Sequence, residues 1–257
     1  MFDYLKTNLL FMPVLASEHG KDVDNFIVYV HILMAVLFVG WLGYFAYTLF
    51  RFRQSRNPKA DHVGVTSHAS SYIELAVAGI EAVLLIGFAV PLWAKVVDKF
   101  PDKKDSTVIR LTAEQFSWSA RYPGPDGEFG AQDAKAFAPD NPLAYVKDDP
   151  KGKDDVTAPM KEIHVPVNKP VIVYLTSKDV IHSFKVAPLR MTQDAIPGMV
   201  SGVHFKPTVR GKYLVTCAQL CGNGHSSMNA FFTVDSPEDF AKWMAEKSKG
   251  GGATSFE

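Results

Sequence analysis

Residues 26–50 form a run of 25 amino acids without one Asp, Glu, Lys or Arg. About 20 apolar residues in helix cross a bilayer core, so this stretch is long enough to span one. Its length argues against the alternative of a helix buried in a soluble core. A second apolar run covers residues 73–97, with Glu74 near its start, Glu81 inside, and Pro91 and Trp93 near its end. The connecting residues 51–71 carry Arg51, Arg53, Arg56 and Lys59. Short basic loops remain in the cytoplasm, so residues 25–98 read as a transmembrane hairpin with both ends outside.

Everything after residue 98 then lies on the outer or periplasmic side of a bacterial inner membrane. Before the hairpin, residues 1–24 are a separate segment. Val14-Leu15-Ala16 follows a short apolar stretch and resembles a signal-peptide cleavage pattern, so this segment is a candidate signal peptide. Residues 99–247 change character. Residues 108–112 and 163–167 alternate apolar and polar, and residues 171–175, 213–216 and 231–234 are short β-rich runs. Asn168-Lys169-Pro170, Pro197-Gly198 and Arg210-Gly211 punctuate them. The pattern predicts an all-β sandwich or barrel. Residues 121–160 are rich in Pro, Gly and Asp and read as a surface insertion. Ser236-Pro237-Glu238-Asp239 predicts the start of a closing helix, and residues 248–257 read as a flexible tail. The formal net charge is zero, which gives no basic surface for nucleic acid.

The chemistry is concentrated in one segment. Cys217-Ala-Gln-Leu-Cys221-Gly-Asn-Gly-His225-Ser-Ser-Met228 places two thiols, an imidazole and a thioether within twelve residues, and His182 lies upstream. Thiolate, thioether and imidazole donors together favour copper. Cys221, His225, Met228 and His182 alone match a mononuclear site; Cys217 permits a second metal bridged by both thiolates. A disulfide between the only two cysteines, or a zinc ion on two Cys and two His, are the competing readings. No C-x-x-C-H motif occurs, so no c-type haem is attached to this chain.

The segment resembles the copper A loop of the cytochrome c oxidase subunit II family. Asp179-Val-Ile-His182-Ser-Phe and Gln193-Asp-Ala-Ile-Pro-Gly198 are similar to two further family segments. The resemblance implies two membrane helices followed by a cupredoxin-like domain, over roughly residues 25–245. It implies two copper ions held by His182, Cys217, Cys221, His225, Met228 and the carbonyl oxygen of Gln219. Many members have Glu at the Gln219 position, where it also reaches a magnesium ion; the neutral amide here argues against magnesium. In the family's tryptophan-rich electron-input stretch this chain reads Gln115-Phe116-Ser117-Trp118, so Phe116 and Trp118 are the candidate input residues. Their alternative is ordinary core packing. Glu74 matches a family glutamate linked to proton uptake, and an interfacial carboxylate without function is its alternative. Glu81 matches no acidic family position. His164 and His204 read as structural or exposed.

The resemblance also implies partners: the catalytic haem–copper oxidase subunit I, other oxidase subunits, and a c-type cytochrome donor. Residues 98–257 hold 20 Lys/Arg and 20 Asp/Glu. With no net field to steer a soluble donor, a tethered or supercomplex-held cytochrome is expected. A copper-handling protein would not need the paired spans. A quinol oxidase subunit would lack the cysteines. A nitrous-oxide reductase would need a further histidine-rich domain.

Overall fold

The structure is a computed structural model describing residues 6, 9–59, 62–136, 138, 141, 143–146 and 148–249. Most of the expected tail, residues 250–257, and the first five residues of the N-terminal segment lie outside the described residues. The chain divides into two compact units.

The first unit is the hairpin. Helix α1 spans Gly20–Arg51 and starts six residues before the uncharged run. The return span, Ala69–Val97, is one long rod in three parts: α2 (Ala69–Ala82), a π-helical segment (Val83–Ala89) and α3 (Val90–Val97). Pro91 lies two residues past the π segment, inside the continuous rod, where it has no N–H to continue the hydrogen-bond ladder. Tyr29 and Phe88 meet edge to face at 5.7 Å, and Lys95 pairs with Asp22 at 2.7 Å where the two spans end. Almost none of the apolar surface of these spans is buried within the chain. In water that would be a large unmet hydrophobic cost, and in lipid it is none.

The second unit is a two-sheet sandwich. One sheet has the order β3-β2-β1-β5-β8, from Val156–Thr157, Ser117–Tyr122, Thr107–Glu114, Val171–Ser177 and Ser201–Phe205. The other runs β4-β10-β9-β6-β7, from Glu162–Pro166, Asn229–Asp235, Gly211–Cys217, His182–Val186 and Met191–Ala195. β1 pairs parallel with β5, and β4 parallel with β10; the remaining pairs are antiparallel. The two sheets close on a core of Ile109, Leu111, Val173, Leu175, Phe184, Phe205 and Phe232, each 3% exposed or less. Phe232 contacts both Phe184 and Phe205 through tilted rings. Burying each such side chain contributes about 1.5–3 kcal/mol.

Two peripheral segments complete this unit. Residues 13–21 lie along the sandwich: Ala16 N–H donates to Pro188 O, Thr208 N–H donates to Ala16 O, and Ala16 is fully buried. The Arg190 guanidinium donates to the Pro13 and Val14 carbonyls. Between β2 and β3, the Pro- and Gly-rich segment is pinned from inside, where the Arg121 guanidinium meets the buried Asp155 carboxylate at 2.5 Å and lies over the Tyr145 ring. Burial pushes the Asp155 carboxyl up, against the opposing pull of the Gly130 N–H and Arg121. The closing helix α4 (Pro237–Lys249) starts with Ser236 accepting the Asp239 N–H, as the sequence signature predicts.

Candidate metal centre

β9 ends on Cys217 and β10 starts on Asn229, so the eleven residues between them make one loop at the end of the second sheet. Its two ends are tied together by Cys217 N–H donating to Met228 O at 3.2 Å. Ala218 N–H donates to Ser183 O at 2.9 Å, which binds the loop to β6. Phe184 of β6 stands opposite Cys217 in the β6–β9 ladder. His182, two residues earlier on the same face, is thereby directed to the same place.

The result is a chain of donor atoms. His182 Nδ1 lies 3.9 Å from Cys217 Sγ, and Cys217 Sγ lies 3.8 Å from Cys221 Sγ. Cys221 Sγ is 3.5 Å from His225 Nδ1 and 3.7 Å from Met228 Sδ. On the Cys217 side, the Gln219 carbonyl oxygen is 3.1 Å from the sulfur. His182, Cys217 and Cys221 are buried, and their ligand atoms all lie within 4.8 Å of one another. Two donors on one tetrahedral ion, with bonds of about 2.0–2.3 Å, lie roughly 3.3–3.8 Å apart. The 3.5–3.8 Å spacings fall in this range, and the 3.9 Å between His182 Nδ1 and Cys217 Sγ lies just beyond it. His225 is half-buried in a single helical turn, and Met228 is 1% exposed, as deep as a core residue.

The surroundings fix the protonation pattern. His182 Nε2 hydrogen-bonds Asp179 Oδ1 at 2.8 Å. A carboxylate there accepts the Nε2–H and leaves the Nδ1 lone pair facing the sulfurs, available to a metal. Partial burial pushes the Asp179 carboxyl up, but hydrogen bonds from Gln115 N–H, His182 and Val180 N–H outweigh it and hold it below the ordinary value. Burial and the adjacent Cys217 thiol raise the Cys221 thiol. Binding a metal at Cys221 releases this proton.

The candidate electron-input residues separate. Trp118 is 1% exposed and packs against His182 and Phe184, with ring centroids 6.1 and 5.5 Å away. It sits behind the site because every residue of β2 is buried. Phe116, in the turn between β1 and β2, is half-buried and lies on the loop itself. A Cβ on Gly224 would run into its ring, and one on Gly222 would lie 3.2 Å from it. Gly222 also holds a φ of 134°, which other residues avoid. Gln115 Nε2 donates to Cys221 O at 2.6 Å. Asp179, Gln115 and the two glycines were not singled out from the sequence; the spacing of Asp179 three residues before His182 is the signal that was available. Glu74 and Glu81 lie in the hairpin unit, on α2. His164 pairs with Asp235 at 2.7 Å and stacks on Trp243, while His204 packs on Phe100. Burial, with a smaller contribution from His19, holds His204 below its ordinary pKa.

Residues 107–234 match the family model of the cytochrome c oxidase subunit II periplasmic domain. The alternative cytochrome c oxidase subunit 2 of Bradyrhizobium diazoefficiens is 31% identical over 231 residues, covering 90% of this chain and 82% of that protein. The chain belongs to the cytochrome c oxidase subunit II family. The subunit 2 of a Synechocystis species is 28% identical over 253 residues, covering 91% of this chain and 75% of that one. A crystal structure of the periplasmic domain of subunit II from Bradyrhizobium japonicum is 29% identical, with a TM-score of 0.44, over 60% of this chain and all of that one. Members of the family bind copper and are part of the haem–copper oxidase oxidoreductase complex. The His–Cys–Cys group described above can hold such a metal. The two membrane-capable spans and the periplasmic-domain match describe a membrane-anchored protein with an outer domain.

Proposed function

We propose that this chain is the electron-input subunit of a respiratory terminal oxidase. It accepts electrons from a c-type cytochrome at a binuclear copper A centre and passes them to haem in the catalytic subunit I, where oxygen reduction is coupled to proton translocation. The observation that carries this reading is the donor chain His182–Cys217–Cys221–His225, with Met228 on one thiol and the Gln219 carbonyl on the other. Two thiols 3.8 Å apart, each with its own imidazole, suit two bridged ions better than one. Bound there, copper supplies a one-electron redox couple. The chain's own contribution is a donor cage gripped by two strands, which holds the ligand atoms in place as charge changes. Gln219 offers its carbonyl to this cage, and its neutral, exposed side chain is a poor magnesium ligand.

Phe116 is the input residue of this account, because it is reachable from solvent and touches the copper loop. The same outer domain exposes further apolar side chains: Leu220, on the copper loop, is 81% exposed, and Ile181, Met199 and Val200 are 42–68% exposed. Glu74 sits near the cytoplasmic end of α2, where a carboxylate reaches water, and serves proton uptake. The copper domain faces the outer side of a bacterial respiratory membrane.

The test is rapid mixing of the purified oxidase with reduced cytochrome c, following copper reduction and oxygen consumption separately. Glu74→Gln is expected to slow oxygen turnover and leave the copper-reduction rate unchanged. Equal slowing of both steps contradicts the proton role, and absence of any copper reduction by the donor in the wild type contradicts the function.

A further inference from the structure

The two halves of the donor loop are fastened differently. Cys217 closes β9, its N–H donates to Met228 O, and the next N–H, of Ala218, donates to Ser183 O on β6. Residues 219–227 bond to one another: His225 N–H donates to Gly222 O and Ser227 N–H to Gly224 O. Among the described residues, one hydrogen bond reaches this stretch from outside the loop. It comes from Gln115, whose Nε2 donates to Cys221 O at 2.6 Å. A carbonyl oxygen only accepts, so the Gln115 amide is the donor of the pair.

Gln115 is itself held in the body of the sandwich. It follows Glu114, the last residue of β1. Its backbone N–H donates to Asp179 Oδ2 at 2.7 Å, while Asp179 Oδ1 receives the His182 ring. Beside it, Lys178 N–H donates to Ala113 O, and the Lys178 ammonium pairs with Glu114 at 2.7 Å. One residue therefore reaches the His182 side of the centre through its main chain and the Cys221 side through its side chain. The loop is shaped to permit this approach, since a Cβ on Gly222 would lie 2.8 Å from Gln115 Nε2.

The Cys221 peptide is the point where a tether has most effect. Cys221 Sγ lies 3.8 Å from Cys217 Sγ, 3.5 Å from His225 Nδ1 and 3.7 Å from Met228 Sδ. A shift of the Cys221 main chain changes all three distances together. The Phe116 ring covers Gly222 and Gly224, and that packing resists compression without fixing a direction. A hydrogen bond to a carbonyl fixes one.

We propose that Gln115 is a positioning residue of the metal centre: its amide fixes the Cys221 peptide, and its backbone N–H fixes Asp179 and so the His182 ring. It touches no metal and acts through Cys221 and Asp179. Without the amide, residues 219–227 have more conformations to lose when the donors close on a metal, and that entropy weakens binding. The proposal deepens the copper reading above and rests on it.

The test uses the full-length chain purified in detergent, both metal-free and copper-loaded. Gln115→Met keeps the length and removes the donor, while Gln115→Arg places an Nε–H at the same reach along the side chain. Hydrogen exchange is measured at the His225, Ser227 and Met228 amides of the metal-free protein, which donate within the loop. Chelator competition measures copper affinity. Gln115→Met is expected to speed exchange at these amides and to weaken copper affinity, each about 2- to 12-fold, the range for one hydrogen bond. Amides of the sandwich strands stay at wild-type rates, and Gln115→Arg recovers most of both losses. Wild-type exchange and affinity in Gln115→Met overturn the proposal. So does faster exchange spread evenly over the sandwich, which is a loss of general stability, and so does a Gln115→Arg protein as impaired as Gln115→Met. A wild-type chain that binds no copper overturns the copper reading, while exchange at the three amides still decides the tether.

Discussion

At the scale of single residues, the proposed site depends on side chains that never touch metal. The Asp179 carboxylate receives hydrogen bonds from Gln115 N–H, Val180 N–H and the His182 ring, and a longer one from the Ser177 hydroxyl. It joins the β1–β2 turn to the His182 strand and sets which imidazole nitrogen faces the sulfurs. Removing the carboxylate frees the ring to rotate and to carry its proton on the wrong nitrogen. Asp179→Ala is therefore expected to weaken copper binding about 10- to 100-fold, as loss of such outer partners does elsewhere. Chelator competition on the purified protein measures it, and an unchanged affinity would show that packing alone orients His182. The five proposed side-chain ligands stand out in the sequence, because soft donors at this spacing are rare outside metal loops, whereas the Gln219 carbonyl is implied only by the family resemblance. Asp179 could not be ranked so, because a carboxylate near a histidine is common and only the fold shows that its oxygen reaches Nε2.

At the scale of elements, the copper loop is held from two directions. Backbone hydrogen bonds fasten its ends to β6 and to each other, and the Phe116 ring lies on Gly222 and Gly224. Gly224 has φ −91°, a conformation any residue adopts, so the requirement there is space alone. Gly224→Ala is expected to destabilise the protein by about 1–3 kcal/mol through overpacking against Phe116. The double variant with Phe116→Ala should recover part of that loss, which thermal unfolding of the four proteins in a cycle will show. Additive effects would mean the ring and the loop do not bear on each other. The alternation of β1 and the β-rich runs at β5, β9 and β10 are visible as pattern in the sequence. β2, β3, β7 and β8 are not: Ser117–Tyr122 is buried along its whole length despite Ser, Arg and Tyr, and Met191–Ala195 is mostly polar. Tertiary pairing overrides propensity in those strands. The placement of Trp118 follows from the same burial, since an aromatic in a fully covered strand has no surface to offer.

At the scale of the whole molecule, two solvents divide the chain. The hairpin leaves its apolar side chains exposed and needs lipid, while the sandwich buries its own. Charge is balanced across residues 98–257, with 20 Lys/Arg and 20 Asp/Glu. Donor oxidation is therefore expected to change little with salt beyond a Debye length of roughly 8–10 Å, and to fall when Phe116→Ala removes the apolar contact. A steep loss of rate with salt, with Phe116→Ala unaffected, would place recognition in a local charge pattern instead.

The central claim is that Cys217 and Cys221 bridge two coppers. Electron paramagnetic resonance of the copper-loaded protein, with copper counted per chain, tests it most directly. The account predicts two coppers and a delocalised mixed-valence signal in the wild type, with at most one copper and loss of that signal in Cys217→Ser. A blue mononuclear signal or a colourless zinc form in the wild type, or two coppers retained by Cys217→Ser, would contradict it.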